Sequence, residues 1–144
     1  WSIVLGSAGS AAGRLLMPML SDKIGRRSTD LLLFAVSLGL SGAFWCARGW
    51  GVVACYAGLT FCYSALAAVL PALSTDLFGF PHAGVNYGFL ALGQSVGSLL
   101  FPFLADLLGL EHGRHLLAMA GAAAGFAAIW ALGPVQPEKL ARPN

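Results

Sequence analysis

The chain has 144 residues, of which 58% are hydrophobic and only 10% charged, against roughly 25% charged in ordinary soluble domains. Such a composition excludes a water-soluble globular domain and points to helices embedded in lipid. The net charge of +2 is small and spread over several loops, so it favours no nucleic-acid partner.

A bilayer-crossing helix needs about 20 mostly apolar residues. Five such stretches follow one another, at about 1–20, 29–47, 50–74, 86–105 and 114–133, with breaks at 22–27, 48–49, 75–85 and 106–114. The predicted fold is an all-α membrane protein of five transmembrane helices. Residues 134–144 form a polar tail after the helix stop at Gly133-Pro134. The chain opens at Trp1, already inside an apolar run, with no initiator Met and no cleavable leader. It therefore reads as the later part of a longer chain, whose preceding helices would be its nearest partner after the lipid bilayer itself.

The first span carries an arginine, Arg14, in an apolar helix. A charge at mid-membrane costs roughly 2.5–3.5 kcal/mol on insertion scales, and it is tolerated mainly where it faces a bundle interior or a watery path. Ser7, Ser10 and Arg14 share one face by the 3/4 spacing, which makes a polar cavity wall. The other role open to Arg14 is snorkelling, because a long side chain about two turns from the span's end could reach the interface. The span ends in a tight turn over 22–27, reading DKIGRR. Asp22, Arg26 and Arg27 could be a merely solvated loop. An acid set against an arginine or a helix N-terminus gains about 0.3–2 kcal/mol, which suits a latch that one conformation keeps and another breaks.

Lys and Arg accumulate in cytoplasmic loops. With the first turn inside, Lys23, Arg26, Arg27, Lys139 and Arg142 lie on that side, and Arg48 and Arg114 lie outside. The expected C-terminus is cytoplasmic, in a plasma or inner membrane. Cys46, Cys55 and Cys62 all fall in apolar runs without metal-ligand spacing, so they read as reduced packing residues. His82, His112 and His115 sit in loops or at helix ends.

On the third span Tyr56, Thr60 and Tyr63 share a face, and on the fourth Tyr87, Gln94 and Ser98 do. Thr60, Tyr63, Gln94 and Ser98 are deep enough to line a cavity or to bond between helices. Tyr56 and Tyr87 also suit the membrane interface. Gly9/Gly13 and Gly93/Gly97 are small-xxx-small pairs that favour close helix packing. No Asp, Glu or His stands at mid-span, so a proton-coupling carboxylate is expected in the preceding part of the chain.

Residues 9–25 read GSAAGRLLMPMLSDKIG and residues 93–109 read GQSVGSLLFPFLADLLG, identical at eight of seventeen positions. The shared Pro, Asp and final Gly at equal spacing favour duplication over coincidence. The copies lie three spans apart and so cross the membrane in opposite directions. That makes an inverted-topology repeat, the architecture of secondary transporters with a site near mid-membrane. The five spans would be two three-helix units short of one first helix.

Gly13-Arg14 followed by Leu20-Ser21-Asp22-Lys23-Ile24-Gly25-Arg26-Arg27 resembles the loop motif of the major facilitator superfamily. Asp76-Leu77-Phe78-Gly79, Asn86-Tyr87-Gly88 and the run from Pro102 to Gly109 look like the segment joining the tenth and eleventh helices of oxalate:formate antiporters and monocarboxylate porters. The resemblance implies a twelve-helix transporter, of which this chain is helices eight to twelve. It implies a gating role for Gly13, Asp22, Gly25, Arg26 and Arg27. In those families an arginine eight residues before the loop's acid binds the substrate carboxylate, and Arg14 stands eight before Asp22. Monocarboxylate porters place an aspartate four residues earlier, where this chain has Ser10. Oxalate carriers look to have a lysine near Gln94, and a neutral residue there favours one carboxylate over two.

The function expected from these residues is secondary active transport of a small organic anion, a monocarboxylate, by alternating access. Substrate would meet Arg14, Gln94, Ser98, Tyr63 and Thr60. Asp22, with its partner expected in the preceding helices, and Arg26 would form the latch. The other readings are a sugar, drug or nodulin-like porter, or a non-transporting scaffold or receptor of the same fold. No nucleotide-binding glycine loop, cofactor motif or catalytic constellation is present, so the chain supports neither enzyme action nor primary pumping.

Overall fold

The computed structural model describes residues 1–107 and 113–132, where every regular element is a helix. The helices are α1 (Ser2–Ile24), α2 (Arg26–Cys46), α3 (Trp50–Phe78), α4 (Ala83–Leu107) and α5 (Gly113–Ala131). The first four are long and apolar enough to cross a membrane. In lipid each span must satisfy its own backbone, which is why long apolar runs become uninterrupted helices.

Two breaks are narrower than the sequence expectation. The turn at 22–27 shrinks to Gly25, because α1 runs on through Ile24 and α2 begins at Arg26. Gly25 adopts φ 97°, a conformation that side chains other than glycine's resist, and it reverses the chain in one residue. Its carbonyl accepts both the backbone N–H and the hydroxyl of Thr29, which closes the first turn of α2. The break at 75–85 narrows to four residues, since α3 continues to Phe78 and α4 starts at Ala83. The Thr75 hydroxyl bonds back to the Pro71 carbonyl at 2.9 Å, within the helix that was expected to have ended. The fifth span, expected at about 114–133, is α5 over Gly113–Ala131.

The bundle is organised around α3. Gly6 of α1 meets Tyr56, Gly9 meets Ala57 and Gly13 meets Phe61, so α1 and α3 run parallel. The contacts of α2 descend along α3 instead: Arg26 reaches Ala72 and Leu40 covers Gly58, so this pair is antiparallel. Arg27 lies against Ile129, and Phe34 against Gly125, so α5 is antiparallel to α2. The four-residue connection from α3 turns the chain back into α4, so α1 and α4 run in opposite senses. Met17, Leu33, Cys62, Ala65 and Val69 form the core where α1, α2 and α3 meet. Of α4 only Ala105 is buried.

The two small-residue pairs do not play the same part. A Cβ on Gly9 would stand 2.8 Å from the Ala57 carbonyl oxygen, and one on Gly13 2.5 Å from that of Phe61. Gly93 and Gly97 have nothing within 4 Å among the described residues, so close packing within them is seen for the first pair. Gly13→Ala is therefore expected to destabilise the full-length protein by about 1–3 kcal/mol through overpacking against backbone that cannot yield. Gly97→Ala should cost far less. Thermal unfolding of the two purified variants decides this, and equal losses would contradict the α1–α3 geometry.

The cysteines divide in the same way. Cys62 is buried in the core as a packing residue, Cys55 is half-buried, and Cys46 is exposed at the end of α2 rather than packed.

Candidate functional site

The face predicted for the first span is present. Ser7, Ser10 and Arg14 line a cavity of about 490 Å³ together with Tyr56, Thr60 and Tyr63 of α3. Arg14 is exposed to this space and has no hydrogen-bond or ion-pair partner among the described residues. It stands in an electropositive pocket walled by hydroxyls.

Those hydroxyls are largely engaged. Ser10 and Ser64 share a short hydrogen bond that ties α1 to α3. The Thr60 hydroxyl lies within donating distance of three carbonyls: Ala57 at 2.9 Å, Tyr56 at 3.1 Å and Gly6 at 3.2 Å. Thr60 thus borders the cavity while holding the α1–α3 seam. Ser64 is a site residue that the sequence reading missed, although it lies four residues beyond Thr60 on the same face.

A second cavity, about 680 Å³, lies between α3, α4 and α5 and is lined by Gln94, Ser98 and again Tyr63. The Gln94 side-chain amide donates to the Tyr63 hydroxyl at 3.2 Å, across the edge that the cavities share. The Ser98 hydroxyl donates to the Ser95 carbonyl at 2.8 Å. Tyr87, placed on the same face by spacing, is not among the lining residues. All five substrate-site candidates therefore border the two adjoining cavities, with Arg14 and Thr60 in one, Gln94 and Ser98 in the other, and Tyr63 in both.

Prolines sharpen both walls. Pro18 lies inside α1 and Pro102 inside α4. Proline has no N–H to give the carbonyl four residues earlier. The residues four earlier are Arg14 and Ser98, so each repeat copy frees a backbone acceptor at a cavity residue.

The charged motif gathers at the other end of α1. Arg26 pairs with Asp76 of α3 in a short contact, with Asp22 at 3.3 Å, and donates to the Ala72 carbonyl at 3.2 Å. Asp22 therefore has a partner within this chain, four residues away. Its side chain is 66% exposed, so this pair is the weaker of the two. Arg27 donates to the carbonyls of Ile129 at 3.3 Å and Trp130 at 2.8 Å. Those carbonyls end α5 and have no helical N–H to receive, and a cation there also opposes the helix dipole. Arg26 thus ties α2 to α3, and Arg27 ties α2 to α5. Asp76 was visible only as part of a family likeness, because its pairing depends on the register between α2 and α3.

Asp30 was overlooked as well. It is 1% exposed, one turn into α2, and neither carboxylate oxygen has a hydrogen-bond partner among the described residues. An orphaned buried polar group costs about 1–3 kcal/mol. Asp30→Leu is accordingly expected to raise the melting temperature of the full-length protein. A lower melting temperature would mean that the carboxyl is partnered in the folded transmembrane bundle. His112, Arg114, His115 and the tail with Lys139 and Arg142 lie outside the described side chains.

A family model for the Major Facilitator Superfamily matches residues 1–144. Neither a curated protein nor a solved structure matches the chain. The family match spans the whole sequence, so the chain belongs to the Major Facilitator Superfamily, and it is an integral membrane protein of that transporter class.

Proposed function

We propose that this member of the superfamily forms the later helices of a secondary transporter that moves a small organic anion, a monocarboxylate, by alternating access. The observation that carries this reading is Arg14: a cation without a counter-ion among the described residues, facing a hydroxyl-lined cavity from within an apolar helix. Its placement is costly unless an anion or water receives it. Gln94, Tyr63 and Ser98 supply neutral hydrogen-bonding groups opposite, which suits one carboxylate better than two. Arg26, held by Asp76 and Asp22, acts as a latch whose pairs exist in one conformation and open in the other. The latch end faces the cytoplasm, by the distribution of Lys and Arg. The remaining helices of the same transporter complete the path on the open side of both cavities.

Uptake of labelled monocarboxylates and labelled sugars by the full-length protein in proteoliposomes tests the reading. Saturable carboxylate uptake, competed by other carboxylates and not by sugars, is the expected result. Uptake confined to sugars would replace the anion with a neutral polyol, a reading the many hydroxyls of the first cavity favour. Ligand binding with no uptake under any gradient would fit a receptor built on the same fold.

A further inference from the structure

The two cavities adjoin but differ in chemistry. The first is the more polar and, among the described residues, holds the only cation at either wall. The second is the larger, and away from Gln94 and Ser98 its walls are Phe101, Pro102, Ala105 and Leu117, with Ala118. Each volume falls within the roughly 300–1,000 Å³ typical of drug-sized ligands. An acid of one to three carbons would fill a small part of the first and none of the second.

Tyr63 connects them. Its side chain borders both spaces, is 59% exposed, and is steadied by the bond from Gln94. A ligand with its carboxylate at Arg14 would pass the Tyr63 ring on its way to the apolar walls.

We infer that the transported anion is amphipathic: its carboxylate pairs with Arg14 in the first cavity and an aromatic or branched apolar body lies past Tyr63 in the second. This inference rests on the anion reading above and deepens it. The second cavity is a specificity pocket, and Leu117 and Ala118 set how much body it accepts. Burial of a methylene is worth ~0.8 kcal/mol, which converts to about fourfold in affinity for each one seated there.

The test uses the full-length transporter in proteoliposomes with labelled 3-phenylpropionate, acetate and 3-phenylpropionamide. The expected KM for 3-phenylpropionate is at least about tenfold below that for acetate, since several apolar carbons are buried. Ala118→Phe, which fills the second cavity, should shrink this preference by about tenfold. Should that variant fail to fold, Leu117→Ala enlarges the same wall and should raise the preference for a naphthyl over a phenyl acid. Acetate carried as well as 3-phenylpropionate, with a ratio that neither substitution moves, overturns the apolar seat and leaves the anion reading standing. Equal uptake of the amide, still sensitive to the wall substitutions, keeps the seat and removes the anion. Uptake of none of the three overturns both.

Discussion

Arg14→Ala is expected to abolish carboxylate uptake by the full-length transporter while leaving it inserted and folded. The guanidinium has no protein partner among the described residues, so its removal breaks no ion pair and exposes no buried acid. What it removes is the charge that an anion would meet in the first cavity. Arg14→Lys keeps the charge but loses the planar fork that holds both carboxylate oxygens. One charge-assisted hydrogen bond contributes about 1.5–3 kcal/mol, so the lysine variant should lose roughly tenfold to a hundredfold in kcat/KM. Initial rates in proteoliposomes, normalised to folded protein, measure both. Normal carboxylate transport by Arg14→Ala would end the anion-site proposal and make Arg14 a snorkelling residue. A neutral substrate should pass through either variant unharmed.

Arg26→Gln should produce the next largest change, and it should appear in conformation more than in substrate affinity. Arg26 joins the start of α2 to the end of α3 through Asp76 and the Ala72 carbonyl, with Asp22 adding an exposed contact. Breaking this cluster leaves Asp76 without its cation and favours whichever conformation does not need the pair. A bias of about 1–2 kcal/mol would shift the balance of the two states roughly fivefold to thirtyfold. Single cysteines placed on each side of the membrane, labelled with an impermeant thiol reagent, report that balance. Asp76→Asn should match Arg26→Gln, and the double variant should be no worse than either, because residues in one ion-pair network are not additive. Asp22→Asn should do less, since an exposed ion pair is worth about 0–1 kcal/mol. Wild-type labelling in Arg26→Gln would reduce the cluster to a topological marker. Substrate affinity should change little in any of them, and a large KM effect with an unchanged labelling pattern would place Arg26 in the substrate path instead.

The same distinction separates the two arginines that follow Gly25. Arg27 meets no acid among the described residues and instead donates to the last carbonyls of α5. Membership of one motif thus covers two physical jobs, an ion-pair latch at Arg26 and a helix-end clip at Arg27. The spacing of the two residues in the chain is one, which on a helix turns successive side chains about 100° apart and delivers them to different neighbours.

Much of this protein is legible before folding is considered. Each span's backbone bonds are local, from residue to residue four back, and lipid forbids leaving them open. Five apolar runs therefore became five helices, with errors only at ends such as 75–78, where polar residues continue the helix past the apolar stretch. Arg14 stood out because a charge in an apolar helix is costly wherever its neighbours lie, and the spacing of Ser7, Ser10 and Arg14 already assigned them one face. What stayed hidden depends on register and rotation between helices, which no local period carries. Asp76 meets Arg26 only because α3 runs antiparallel to α2 at one particular offset. Gly13 seats on the Phe61 backbone while its repeat counterpart Gly97 meets nothing among the described residues, although the two stand in matching sequence. Tyr63 joins two cavities, and Asp30 is sealed away one turn into a span, for the same reason: contacts across helices are set by how whole helices pack. The sequence by itself determined which segments are helices and where charge is out of place, because those are properties of single spans. Only the tertiary structure decided which charges pair, which glycines pack and which cavity each polar side chain borders.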